Sequence, residues 1–419
     1  MRTLGPRVQL VLLGVTALLL WFSMPRAQAA TEPVNVCVDC HARLEGALKL
    51  PVEASASSAH GHKGTGCEIC HGGNSTDVAH AKSRGSGFRG HIQRKEIPEL
   101  CGACHADVNR MKQFNPTLRT DQLAQYRTSV HGIKFAHGDP NVAVCTDCHG
   151  VHNILTGTDP RSPVHPLNVA ATCARCHSDA ALMKSYHLAA TQVEDYNDSI
   201  HHQAMAVRGD LAAPTCSTCH SSHGAAPPGA NSIATVCSTC HVLQAQFFKE
   251  SPHKSAFAEG CTTCHSAHKI HHPDDNFVGL AAGSACADCH TTDDEGGKNA
   301  TAIHDHLARF EHSVKDAVSL LGTAERAGMD VGEAGFEINQ ANEALTKARV
   351  RVHTARAAQV DAELETGSKA ETRARAAGES ALKERDRRRK ALLVPVGAIA
   401  VVVLSLGICI RELERSGAL

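Results

Sequence analysis

A cysteine pair followed directly by a histidine, Cys-x-x-Cys-His, occurs nine times in the first 290 residues of this 419-residue sequence. Two thiols at this spacing can add to the two vinyl groups of a haem while the adjacent imidazole binds the iron, so the motif indicates covalent haem c. Zinc knuckles and redox disulfides also use Cys-x-x-Cys, but neither needs a histidine after every second cysteine. The sequence therefore predicts nine covalent haems.

The predicted haem-attaching thiols account for all but one of the 19 cysteines, Cys409 being the exception. They are Cys37, Cys40, Cys67, Cys70, Cys101, Cys104, Cys145, Cys148, Cys173, Cys176, Cys216, Cys219, Cys237, Cys240, Cys261, Cys264, Cys286 and Cys289. The predicted proximal iron ligands are His41, His71, His105, His149, His177, His220, His241, His265 and His290.

The sequence around these motifs is repetitive. A unit consists of a first motif, a helical stretch, a Ser-x-His triplet and a second motif, often followed by a histidine three residues after the motif's own histidine. The units span roughly Cys37–His80, Cys101–His152, Cys173–His223 and Cys237–His268, and Cys286 opens a fifth. Such self-similarity favours stacked units over one closed domain.

This layout resembles the doubled-CxxCH multihaem c-type cytochrome family. The resemblance rests on the paired motifs, on Tyr-x-x-Ser-x-His at 126–131 and 196–201, and on endings such as Cys148-His149-Gly150-Val151-His152. The resemblance implies a mainly α fold with much irregular loop, in which the haems fill the interior. It also implies a role in electron transfer. One departure is that Cys70-His71 continues as Gly72-Gly73 without the later histidine.

Nine haems use nine of the 29 histidines as proximal ligands, which leaves enough to cap every iron on its other face. Imidazole on both faces gives a low-spin iron without a substrate position. The predicted distal ligands are His60, His131, His201 and His253 from the Ser-x-His triplets, His152, His223 and His268 after second motifs, and His80 and His304. His91, His306, His312 and His353 compete for the last two places, and the sequence does not assign distal ligands to individual haems.

Two apolar segments indicate export and membrane attachment. Basic residues precede the run from Val8 to Met24, and Ala27-Gln28-Ala29 offers a cleavage site, so residues 1–29 are predicted to be a signal peptide. The segment 391–410 lacks charge and is long enough to span a bilayer. The basic cluster within 385–390 violates the positive-inside rule if the haems face outward, but long exported domains translocate largely regardless of charge.

The remaining boundaries follow from composition. Residues 30–292 form the predicted nonahaem domain, and two heptad-like stripes predict a helical hairpin over 293–360. The hairpin either packs on the last haem, presenting His304 or His353, or serves in oligomerisation or as a spacer. Residues 361–390, rich in Ala, Glu, Arg and Lys, are predicted to be an exposed helical stalk, and 411–419 a short cytoplasmic tail.

Together these features predict an electron carrier, tethered to the cytoplasmic membrane with its haems in the periplasm, between a quinol-linked membrane donor and periplasmic cytochromes. The alternative is a multihaem redox enzyme, acting on nitrogen or sulfur oxyanions or on hydroxylamine, with one five-coordinate haem. The Cys-x-x-Cys-Lys motif of related nitrite reductases is absent. A formal net charge of −1 gives no indication of nucleic-acid binding.

Overall fold

The computed structural model describes residues 35–228, 235–258 and 260–416, and the chain divides into two compact units with the boundary in the sequence between His165 and Pro166. The predicted signal peptide lies outside these residues. Across the described ranges the chain consists of helices and irregular loops without a β-strand. The mainly α fold with much loop is therefore confirmed.

The first unit is built from short helices joined by loops and 3₁₀ turns. Few of these helices exceed two turns, which fits a chain whose segments are fixed by attached groups rather than by a large protein core. They are α1 Val36–His41, α2 Leu50–Ala56, α3 Cys67–His71, α4 Ile97–His105, α5 Val108–Phe114, α6 Gln122–Thr128, α7 Val130–Ala136 and α8 Cys145–His149. The 3₁₀ turns are Gly46–Leu48, Gly61–Lys63, Arg84–Ser86 and Arg94–Glu96.

The second unit begins with the same kind of structure. Its short helices are α9 Pro166–His177, α10 Ala180–Ser185, α11 Gln192–Asn197, α12 Ile200–Ala206, α13 Cys216–His220, α14 Val242–Glu250, α15 His253–Ala256 and α16 Thr262–His265, followed by the 3₁₀ turn Asp275–Phe277. In both units the buried apolar side chains of the motif-bearing region are scattered, among them Met111, Val144, Met183 and Met205. Apolar side chains alone therefore do not form the interior of this region.

Three long helices follow: α17 Glu295–Arg326, α18 Gly332–Arg351 and α19 Ala357–Arg415. Short connections make sequential helices antiparallel neighbours, and all three pack on one another. Their shared core includes Leu307 at 1% exposure, and Leu345 at 4%. The rest of the core cluster is Ile303, Phe310, Val314, Ala341, Ala348, Val360, Leu364 and Ala370.

The predicted exposed stalk is therefore wrong over its first half, because α19 is the third helix of this bundle. Ala370 and Ala374 are fully covered. A Cβ added at Gly367 would lie 2.6 Å from the Cβ of Ala344 and 2.7 Å from Cζ of Phe310. Small residues thus allow close approach of the helices, and a segment poor in large apolar residues still forms a packed face.

The C-terminal half of α19 behaves differently. Residues 391–410 continue the same helix through Pro395, and all of them are exposed. This is the one helix in the described part of the chain that is long and apolar enough to cross a membrane. The basic residues before it form local ion pairs, such as Arg388 with Glu384 at 2.9 Å.

Candidate haem sites

Local helix geometry brings the three reactive residues of a motif to one side. In α8, Cys148 and His149 follow Cys145 by three and four residues, so the three side chains share a helix face. Gly150 ends this helix with φ +79°, a conformation that glycine adopts without strain. The positive φ of Gly150 turns the chain away from the helix axis directly after the histidine.

Four motif histidines are held by hydrogen bonds at the ring nitrogen Nδ1. His41 Nδ1 lies 3.1 Å from the Leu48 carbonyl oxygen, and His71 Nδ1 lies 2.9 Å from that of Gly90. His220 makes the same contact with Ala226 at 3.1 Å. His290 Nδ1 lies 2.8 Å from Asp294 Oδ1. Donation from Nδ1 leaves the Nε2 lone pair free to bind a metal, as in other oriented metal-binding histidines.

Histidines of the Ser-x-His triplets face motif histidines of the following repeat. His60 lies opposite His105 with ring centroids 6.0 Å apart. His201 lies 6.2 Å from His241. His253 lies 6.0 Å from His290. In each case the partner belongs to the first motif of the following repeat in the same compact unit, so neighbouring repeats within a unit complete one another's sites.

Histidines that follow second motifs pair with the preceding repeat, whereas the triplet histidines pair with the following one. His152 lies opposite His71 with ring centroids 6.1 Å apart, and His268 lies 6.0 Å from His220. Both partners belong to the second motif of the preceding repeat. The ring planes are nearly parallel here, at 15° and 11°, whereas those of His60 and His105 are inclined at 66°.

The sixth pair joins the bundle to the haem region of the second unit. His353, in the 3₁₀ turn Val352–Thr354 after α18, lies 6.1 Å from His265. The neighbouring Arg351 guanidinium lies 4.0 Å from the centroid of the Phe247 ring in α14. The geometry thus favours His353 over the predicted His304, whose Nδ1 lies 3.1 Å from the Asp305 carboxylate. Of the three alternatives for the hairpin, this contact favours packing on the candidate haem sites, but at His265 of the eighth motif and not at the last motif.

The spacing within these six pairs fits a haem iron. A metal–imidazole bond of about 2 Å puts a ring centroid about 3 Å from the metal, so two imidazoles on opposite faces of one iron have centroids about 6 Å apart. In each pair, burial lowers the pKa of the histidine that lies outside the Cys-x-x-Cys-His motif, and this favours the neutral ring that binds metal. These histidines are His60, His152, His201, His253, His268 and His353.

The serine of the triplet has a structural role that the pattern alone did not reveal. Ser129 caps α7, accepting from the Gly132 amide at 2.9 Å while donating to the Tyr126 carbonyl at 2.6 Å. Ser199 does the same for α12. The cap fixes the first turn of the helix, and the histidine two residues later sits in that turn. The triplet is therefore a device for holding an imidazole.

The tyrosine three residues before the serine ties the preceding helix, α6 or α11, to the second motif of the same repeat. The Tyr126 hydroxyl donates to the Ala143 carbonyl at 3.0 Å, two residues before Cys145. The Tyr196 hydroxyl makes the matching bond to Pro214 at 2.9 Å, two residues before Cys216. Burial raises the pKa of both phenols to about 12, so they remain donors at neutral pH.

The first cysteines of the two motifs in a repeat lie together. As a free thiol, Cys101 hydrogen-bonds Cys145, and this contact raises the pKa of Cys101. A hydrogen bond with Cys261 raises the pKa of Cys237 in the same way. In the third repeat the bond to Cys173 lowers the pKa of Cys216 to about 7. The two motifs of a repeat are therefore direct neighbours in space.

The second cysteines lie close enough to the following motif for its cysteines to affect their pKa values. Burial raises the pKa of Cys70, and the nearby Cys104 raises it further. The pKa of Cys219 is raised by burial, then by Cys216 and Cys240. Cys264 is raised by burial and then by Cys286 and Cys289 of the last motif. Within each unit of the protein, spatial neighbours thus follow the order of the motifs along the sequence.

Other predicted ligands stand as follows. His80 has a mostly exposed side chain whose Nδ1 lies 2.6 Å from Asp77 Oδ2, and the group facing the first motif's His41 is Lys82. His131 and His223 hold the corresponding positions of their repeats and remain predicted distal ligands. Lys82 was not among the predicted ligands, and His353 was one of the four competing histidines.

Comparison with known proteins finds similarity to c-type cytochromes. The family described as cytochrome c554 and c-prime matches residues 23–72 and 236–314. A C-type polyheme cytochrome, OmcB, from two strains of Geobacter sulfurreducens is 24% identical over 241 residues, which is 51% of this chain and 25% of the relative. The chain thus spans about a quarter of the length of the curated relatives that it matches, and no solved structure matches it. The repeated motifs and both matches, each to c-type cytochromes, support the multihaem c-type cytochrome family for this chain.

Proposed function

We propose that this chain is an electron carrier that holds nine covalent haems, most of them capped by histidine on both faces. The observation that carries the proposal is the set of six imidazole pairs, all with centroids 6.0–6.2 Å apart. Haem c, when bound, supplies an iron that changes its oxidation state by one electron. A histidine on each face leaves no position for a substrate, which favours electron transfer over catalysis.

The chain's own residues set the conditions for this transfer. Thioether bonds at the motif cysteines fix each haem, and carbonyl acceptors such as Leu48 and Gly90 orient the proximal rings. Ligands taken from neighbouring repeats hold consecutive sites against one another. Because motif neighbours in space follow the sequence, we infer a linear path along each unit.

Membrane attachment is the second part of the proposal. We infer that residues 391–410 anchor the chain in the cytoplasmic membrane and that the haem region lies in the periplasm, since haem c is attached outside the cytoplasm. The bundle of α17, α18 and the first half of α19 would then form a rigid connection between anchor and haems. Attachment beside the membrane suits a quinol-linked donor, with periplasmic cytochromes as acceptors.

Spectroscopy of the full chain in detergent tests the carrier role against the enzyme alternative. Oxidised protein should show low-spin haem alone, and its reduced form should bind no carbon monoxide. A stepwise reductive titration should take up one electron per haem. A high-spin haem that turns over nitrite or hydroxylamine would contradict the carrier assignment and support a catalytic haem.

A further inference from the structure

The first motif differs from the six paired sites because a lysine faces its histidine. Lys82 Nζ lies 3.4 Å from His41 Nε2, the nitrogen that would bind iron. On the other side of the ring, Nδ1 of His41 lies 3.1 Å from the Leu48 carbonyl. His41 is thus oriented like the other motif histidines, with Nε2 directed at an amine instead of an imidazole.

The order of the repeats explains why the usual partner is missing here. Each paired Ser-x-His histidine faces the first motif of the following repeat, as His60 faces His105. The first motif of the first repeat has no such triplet before it in this sequence. Histidines after second motifs serve second motifs, as His152 serves His71. Neither series provides a histidine for His41.

A loop after the second motif delivers the lysine instead. Gly72 and Gly73 have φ values of +66° and +91°, and a Cβ at Gly73 would lie 2.5 Å from the Ala81 carbonyl oxygen. Asn74, which stands where other repeats have their later histidine, accepts from the amides of Thr76 and Asp77 and so shapes the turn. The departure Gly72-Gly73 in the sequence is therefore what lets the chain fold back.

One hydrogen bond joins this loop to the first motif, and a second closes the loop on itself. The Val36 amide at the start of α1 donates to the Ser75 carbonyl at 2.9 Å, and the Asn74 amide donates to the Ala81 carbonyl at 3.2 Å. Lys82 follows Ala81 directly, and its amine lies 5.4 Å from the centroid of the Phe88 ring. The predicted ligand His80 is turned to Asp77 instead, with its side chain 68% exposed.

We propose that the Lys82 amine is the axial ligand opposite His41, so that the first haem has one imidazole and one amine ligand. The proposal rests on the proposed function, because it needs a haem at Cys37 and Cys40. Two nitrogens on opposite faces of one iron lie about 4 Å apart, and the flexible four-carbon stem of lysine can retract to that distance. The ammonium proton passes to solvent, and the freed lone pair binds iron.

Such a ligand set makes one end of the first unit electronically distinct from the imidazole pairs. Axial-ligand identity is a main determinant of haem potential. The first haem would therefore differ in potential from its bis-histidine neighbours, which suits a point where electrons enter or leave the chain.

Four variants of the full chain in detergent test the assignment: Lys82→Ala, Lys82→His, His80→Ala and, as an exposed lysine of the same unit, Lys112→Ala. In the wild type, near-infrared magnetic circular dichroism should show one amine–imidazole charge-transfer band beside the bis-imidazole bands. Lys82→Ala should lose that band and gain one carbon monoxide adduct per chain. Lys82→His should move the band to the bis-imidazole position without an adduct.

His80→Ala and Lys112→Ala should match the wild type. An adduct in His80→Ala, or an unchanged band in Lys82→Ala, would overturn the lysine assignment. Mass measurement of the peptide carrying Cys37 and Cys40 separates this failure from that of the proposed function. A peptide without haem refutes attachment at the first motif, whereas a haem-bearing peptide with an unchanged spectrum refutes only the ligand.

Discussion

Replacing His353 with alanine tests the contact between the three-helix bundle and the haem region. His353 lies 6.1 Å from His265, and its Nδ1 lies 2.9 Å from the Val350 carbonyl. The substitution removes one axial imidazole and one hydrogen bond, the latter worth about 1 kcal/mol. The bundle core is built from other residues, so the fold should persist while one iron loses its cap.

The magnitude follows from the count of motifs. One open site among nine should give one carbon monoxide adduct per chain, about a ninth of the total haem, against none in the wild type. Optical titration of the reduced protein measures the adduct, and electron paramagnetic resonance of the oxidised protein measures the matching high-spin signal. All nine haems should stay attached, because the thioether bonds do not involve His353.

Two bundle histidines serve as controls. His304→Ala tests the ligand predicted from sequence, and His312→Ala removes a ring whose side chain is 77% exposed. Neither should bind carbon monoxide. An adduct in His304→Ala together with none in His353→Ala would refute the reasoning and restore the sequence-based assignment.

Acid should imitate the same substitution. Burial lowers the pKa of His353 from its ordinary value of 6.5, so the folded protein holds fewer protons at this site than the unfolded chain. The stability that the neutral His353 ring contributes is fully present above about pH 6.5, and it is lost as the pH falls through the lowered pKa of this ring. A high-spin fraction should therefore grow on acidification in the wild type, and His353→Ala should lack the part of this change that belongs to its haem.

Three further expectations concern single features. His201→Ala should open one iron, whereas His202→Ala should not. The His202 ring packs on Tyr196 at 5.3 Å and faces no motif histidine among the described residues. Carbon monoxide titration distinguishes the two variants. Leu345→Ala should cost the bundle about 2–5 kcal/mol, measured as faster hydrogen exchange over 332–351, without changing haem spin state. A stop codon after Arg388 should release a soluble protein with an intact bundle, whereas one after Thr366 should leave the bundle unstable; unchanged exchange in the shorter chain would contradict the packing of α19.

The local geometry of the candidate haem residues was largely predictable because its signals lie in short sequence motifs. Cys-x-x-Cys-His brings thiols and imidazole to one helix face, and Ser-x-His encodes a helix cap followed by a ligand. The pairing of His60 with His105 was not predictable, since it depends on how successive repeats stack. Lys82 gave no periodic signal, and only the fold of its loop brings it to His41.

The bundle shows a second limit. The spacing of Leu307 and Leu345 predicted two helices, but the third was overlooked because its packed face consists of Gly367, Ala370 and Ala374. Such residues resemble a solvated stretch in composition, although they permit the closest helix contacts. The choice between His304 and His353 likewise depends on which end of the bundle meets α16, a tertiary property.

Haem content is the most direct test of the account, since every proposed ligand presupposes an attached haem. The intact mass of the full chain, after free haem is removed, should exceed that of the unmodified mature polypeptide by nine haems. Peptide mapping should locate one haem at each Cys-x-x-Cys-His motif. A smaller mass increase, with a motif recovered intact but unmodified, would contradict the nine-haem carrier.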